Sequence, residues 1–159
     1  MRKIVLMGAL ATASGFGAYL IMKKKKIDRV LDKLTFSVKD VKNFKISSGN
    51  LKADLYLRAQ NPTNESLDVS TGFLTVDTLR VYEKGTSKTL AVSDLQINQI
   101  ELPAGGFYDF PALSVKIPLL TGAIIALSQL TNNKSKFIDR LTIELDVKAM
   151  NYTKTITIN

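Results

Sequence analysis

The stretch LKADLYLRAQNPTN, residues 51–64, decides how the rest of the chain is read. Leu51, Ala53, Leu55, Leu57 and Ala59 hold the odd positions, and Lys52, Asp54, Tyr56, Arg58 and Gln60 hold the even ones. A side-chain period of two over this length specifies a strand with one face buried and one face wet. Asn61-Pro62-Thr63-Asn64 ends it, because proline brings no N–H to a ladder and holds the preceding residue extended.

The same grammar extends in both directions. Thr35 to Val41 alternates and predicts a strand, with Phe44 and Ile46 after it and a turn at Ser47-Ser48-Gly49-Asn50. Leu67 and Val69 alternate, Gly72 interrupts, and Leu74 and Val76 continue the pattern, but Leu79 and Val81 are out of phase with Leu74 and Val76. A phase shift near Gly72 predicts a bulge that carries one strand across two sheets. Lys84-Gly85-Thr86-Ser87 is a hairpin signal before Thr89 to Val92; Leu95, Ile97, Ile100 and Leu102 predict a strand pair or a bent strand. After the loop Pro103-Ala104-Gly105-Gly106, Leu113, Val115 and Ile117 alternate up to Pro118. Leu119 to Leu130 is the one helical pattern in the body, too short for a bilayer and suited to capping the sheets. Leu141 to Ala149 and Thr153 to Ile158 close the chain as a hairpin.

Composition excludes much chemistry. With neither cysteine nor histidine in 159 residues, thiolate chemistry, disulfides and the usual neutral-pH base are absent, and no cofactor is expected. The net charge of +8 is uneven. Residues 1–33 hold eight basic and two acidic groups, a net of +6, which leaves +2 on the remaining 126 residues. A nucleic-acid groove on the folded domain is therefore not expected.

Ile4 to Met22 is an uncharged run flanked by Arg2-Lys3 and by Lys23-Lys24-Lys25-Lys26. As a helix it spans about 28 Å, and the reading is a single transmembrane helix with the lipid bilayer as partner through residues 4–22. A cleaved leader is the rival, since Ala9-Leu10-Ala11 and Ala11-Thr12-Ala13 have small-x-small form. The run nevertheless continues to Met22 and stops at lysines. The more basic C-terminal flank predicts a single-pass membrane protein with its domain on the cytoplasmic side, or the equivalent virion interior. Ile27, Val30, Leu31 and Leu34 fall at helical spacing, so the helix is expected to run on for two turns.

The strand leading into Asn61-Pro62, the strands around Leu67 to Val81, the stretch Ser114 to Leu120 and the final hairpin resemble the late embryogenesis abundant type 2 family, or WHy domain. The resemblance covers roughly residues 35–158. It implies an antiparallel β-sandwich without catalytic residues, often tethered by one N-terminal span, with protective or binding roles and Asn61-Pro62 as the family turn.

Candidate chemistry is sparse. Asp54, Asp68, Asp77 and Asp109 are the carboxylates from which an acid–base pair could be drawn, but each sits on a polar strand phase or in a loop. Asn64-Glu65-Ser66 and Asn151-Tyr152-Thr153 match the glycosylation pattern, which matters only in a secretory lumen. Phe107, Tyr108 and Phe110 form an aromatic cluster, either a contact for a partner or loop residues folded over the end of the sheets.

The expectation is an all-β chain: an antiparallel β-sandwich of about seven to eight strands with one short capping helix, preceded by a transmembrane helix. Residues 1–33 form the anchor and 34–159 the sandwich. Its function is that of a non-catalytic, membrane-anchored structural or interaction module with a protein partner or assembly. A structural protein of a membrane-containing virion and a carrier of an apolar ligand are the alternatives.

Overall fold

The computed structural model describes residues 2–68, 73–118, 138–150 and 152–158, and for residues 2–17 the helical backbone alone. Helix α1 (Arg2–Lys33) leads into β1 (Thr35–Ser47), β2 (Asn50–Gln60), β3 (Leu74–Glu83), β4 (Thr89–Ile100), β5 (Phe107–Asp109), β6 (Leu113–Pro118), β7 (Leu141–Ala149) and β8 (Tyr152–Ile158). The strands form two antiparallel four-stranded sheets.

Strand β2 is the axis of the first sheet. One edge pairs with β1 from Thr35↔Gln60 to Ser47↔Asn50. Its other edge takes β5 beside Arg58 to Gln60 and β6 beside Asn50 to Leu55. Between these two pieces, three residues (Phe110, Pro111, Ala112) oppose two of β2 (Tyr56, Leu57), which is a bulge. Proline fits there because a bulge residue owes the ladder no donor. The extra residue moves the inward positions from even numbers (Phe110) to odd ones (Leu113, Val115, Ile117).

The second sheet has the order β4-β3-β7-β8. In β3 the partners of β7 shift between Val76 and Thr78, and that bulge lets Leu74, Val76, Leu79 and Val81 all point inward. The predicted phase break is thus real, but β3 stays in one sheet and does not cross to the other. Among the described residues Leu67, upstream, makes a single bridge, to Leu102.

The apolar faces of the sheets meet, with Leu51, Ala53, Leu55 and Val115 of the first against Val81 and Leu141 of the second. Each fully buried leucine contributes about 1.5–3 kcal/mol relative to exposure. Ile27, Val30 and Leu31 of α1 join this core at 2% exposure or less. Their i, i+3, i+4 spacing puts them on one helix face.

Several expectations are corrected here. Among the described residues no helix is long and apolar enough to cross a membrane. The last turns of α1 pack on the sheets through Ile27, Val30 and Leu31. This overturns the N-terminal transmembrane helix, the single-pass topology and its cytoplasmic orientation, and the bilayer as a partner through residues 4–22. The membrane-anchored module falls with it, as does the virion protein that depended on such an anchor. The carrier is overturned as well. The gap between the sheets at Leu51, Val81 and Val115 holds about 10 Å³, less than a ligand needs. The helix expected over Leu119–Leu130, and any cavity beneath it, lie outside the described residues.

Candidate functional site

The even positions of β2 face outward, and across the ladder Arg58 lies opposite Asp109 while Gln60 lies opposite Phe107. Arg58 donates from Nε to Asp109 Oδ1 at 2.6 Å and from a terminal nitrogen to Oδ2 at 2.8 Å. Lys39 of β1 donates to the same Oδ2 at 3.0 Å. One carboxylate on β5 therefore collects cations from β2 beside it and from β1 one strand further on. The guanidinium of Arg58 also lies over the Phe107 ring, 3.8 Å from its centroid.

Beside this group a hollow of about 360 Å³ opens between β1 and β5, bounded by Lys39, Asp40, Lys42, Tyr56 and Asp109. Lys42 reaches over the Tyr56 ring at 5.0 Å and lies 3.6 Å from Asp40. The hollow exists because β1 is irregular: its register slips between Val38 and Asp40 and again between Lys42 and Lys45, with Asn43 at φ 51°.

The electrostatics suit binding better than proton transfer. Hydrogen bonds from Arg58, then from Lys39, hold the Asp109 carboxyl well below the usual carboxylate range. Asp54 is likewise lowered, by hydrogen bonds from Asn43 and Ser114, and Asp146 by Arg80 and then Thr155. A carboxylate held ionised this firmly is a poor general acid near neutrality.

The aromatic cluster is split by strand geometry. Phe107 points outward at 55% exposure, whereas Phe110 is buried, with Tyr108 edge-on to it at 5.0 Å and Phe36 at 5.9 Å. Residues 107–109 are strand, not loop.

Asn61 and Pro62 form a clasp. Asn61 is the one fully buried polar side chain among the described residues. Its Nδ2 donates to the carbonyls of Glu65 (2.7 Å) and Pro103 (3.1 Å), and its Oδ1 accepts from the N–H and hydroxyl of Thr63. Its own N–H donates to the Gly106 carbonyl at 2.9 Å. A Cβ on Gly106 would stand 2.4 Å from Pro103 Cγ, so glycine suits the tight 103–106 turn that presents these carbonyls. Pro62 itself is exposed.

Of the basic flank, Lys23, Lys24, Lys25 and Lys26 make no ion pair among the described residues, and the side chains of Arg2 and Lys3 lie outside them. The other carboxylate candidates do not converge. Asp54 is held by Asn43 and Ser114, Asp68 accepts from Ser66 at 2.7 Å, and Asp77 sits at the β3 bulge. Sequence reasoning noticed Asp109 but missed Lys39 and Arg58 as its partners. The only available signal was an arginine and an aspartate on outward phases of strands whose register was unknown.

The two sheets and their clasped loops define the class of protein, a mostly β chain with a cation-rich outer face on its first sheet. No family model and no curated protein matches it. Among solved structures, a crystal structure of a protein from Archaeoglobus fulgidus is similar at 7% identity and TM-score 0.43, over 77% of this chain and 91% of that one. A β-glucosidase from Paenibacillus barengoltzii gives 12% identity and TM-score 0.32 over 79% of this chain, which spans only 13% of the enzyme. The solution structure of a protein described as late embryogenesis abundant gives 13% identity and TM-score 0.34, over 92% of this chain and 81% of that one. The last is a weak structural likeness.

Proposed function

We propose that the chain is a non-catalytic interaction module, distantly related to the late embryogenesis abundant type 2 family, that binds a protein partner through the Lys39–Arg58–Phe107 face. One observation carries this reading: Phe107 is exposed, yet the Arg58 guanidinium is stacked on it and fixed by Asp109. Arginine and aromatic residues dominate binding hot spots, and an arginine already held in place costs less entropy to use. The lowered carboxyls of Asp54, Asp109 and Asp146 support a role without acid–base catalysis. Kinship rests on the alternating strand that ends at Asn61-Pro62 and on the loop clasp built there.

A photo-crosslinking residue at position 107, with one at exposed Lys88 as control, tests the reading in cells. A discrete protein adduct at 107 that disappears with Arg58→Glu is expected. Adducts that are equal at both positions, or indifferent to Arg58, would overturn it.

A further inference from the structure

A second surface lies on the far side of the molecule's chemistry, where α1 meets the β7–β8 hairpin. Leu20, Lys24 and Ile27 recur at helical spacing and, with Asp28, face Met150 and Tyr152 across a hollow of about 340 Å³. Its walls are mainly apolar, with Leu20 (44% exposed) on the helix side and Met150 (45%) on the opposite rim. Lys24 lines it, and Lys23, Lys25 and Lys26 complete the same helical turn, the four making no ion pair among the described residues.

The hollow also contains an unmet acceptor. Among the described residues Asp28 Oδ1 is buried and has no hydrogen-bond partner. A desolvated carboxylate oxygen without a donor is costly. A donor delivered into the hollow would remove that cost.

We propose that this groove is a docking site for an acidic amphipathic helix of a partner protein. Its apolar face would seat against Leu20, Ile27, Met150 and Tyr152, its acids against Lys24 in the field of the neighbouring lysines, and one N–H donor would reach Asp28. Charge selects this occupant. A second copy of the chain would bring its own lysine collar against this one, in a protein already at +8, so self-association is opposed. The site is separate from the Phe107 face, and the two readings can fail independently.

The probe is a synthetic fluorescent helix with leucines on one face and glutamates on the other, compared with its glutamine counterpart, titrated into the full chain by anisotropy. The glutamate peptide is expected to bind saturably and to lose about tenfold in affinity when salt rises from about 50 mM to about 500 mM. Leu20→Ser with Met150→Ser, and separately Lys24→Glu with Lys25→Glu, should each cost about tenfold or more, with circular dichroism unchanged because these positions are exposed. Equal binding of the glutamine peptide, or variants that bind as the parent does, would overturn the proposal. So would tighter, Leu20- and Met150-dependent binding to phosphatidylglycerol vesicles than to the peptide, which would assign the groove to lipid. Failure of this titration with the position-107 crosslink intact would leave the Phe107 reading standing.

Discussion

Arg58 and Asp109 face each other across the β2–β5 ladder with two parallel hydrogen bonds of 2.6 and 2.8 Å, a fork-to-fork pair that lysine cannot reproduce. The same guanidinium covers Phe107. Replacing it with lysine keeps the charge and removes both the fork and the stacking. With Arg58→Lys, the Asp109 carboxyl should titrate closer to the ordinary aspartate range, followed by carboxyl carbon NMR against pH. A titration unchanged from the parent would show that Lys39 alone holds the carboxylate.

Acid should destabilise the fold in a definite window. Asp54, Asp109 and Asp146 all have folded-state values below their ordinary ones. The folded state therefore binds fewer protons than the unfolded state as pH falls. The stability these groups contribute is fully present above the unfolded carboxylate range, about pH 4–5, and is lost as pH drops through the depressed values. Urea midpoints should be flat from about pH 7 to 5 and fall steadily below about 4. Asp146, paired with Arg80 and accepting from Thr155 at 2.8 Å, is part of that slope. Asp146→Asn should cost about 1 kcal/mol at neutral pH and make the acid slope shallower.

Asn61 is the polar residue whose loss should cost most. Its side chain satisfies two carbonyls and a hydroxyl in a dry site, so truncation leaves acceptors without donors. Asn61→Ala should lower unfolding free energy by about 2–4 kcal/mol, read from chemical denaturation. Asn61→Asp should cost at least as much, because it removes both donors and faces a carboxylate toward carbonyl oxygens. A loss below about 0.5 kcal/mol would mean that water replaces the clasp readily.

Asp28→Ala should act in two directions. Removing a buried oxygen that has no partner among the described residues should raise stability by about 0.5–1 kcal/mol, seen as a higher melting temperature. The same variant should bind the acidic helix more weakly, since the donor it uses would have no acceptor. A gain in both would remove Asp28 from the docking site.

Strands with unbroken alternation were legible from sequence almost to the residue. The run 51–59 is β2, and 141–149 with 153–158 forms the β7–β8 hairpin. The turn at Ser48-Gly49 was also readable, since two consecutive positive φ values call for such residues. Bulged strands were harder to read. In β1, Asn43 at φ 51° breaks the period, so one 13-residue strand looked like a strand followed by stray apolar residues. Strand β4 was ambiguous for the same reason, with Gln96 and Gln99 both left-handed. The helical continuation through Ile27 and Leu31 was legible by spacing. What covered those residues was not, because packing partners 120 residues away, such as Lys154 on Asp32, leave no local trace. The Lys39–Arg58–Asp109 group was invisible in the same way, since it depends on registers that only the bulges fix.

Those irregular outer strands have a consequence for solution behaviour at high concentration. β1 and β4 each terminate a sheet, and an exposed strand edge is a template on which a neighbouring chain can grow a fibre. A straight incoming strand could match β4 only up to Gln96, and β1 only up to Asn43, before its hydrogen bonds lost step with the kinked backbone. The left-handed residues thus shorten the ladder that either edge offers an incoming strand, including the edge that carries exposed Val92.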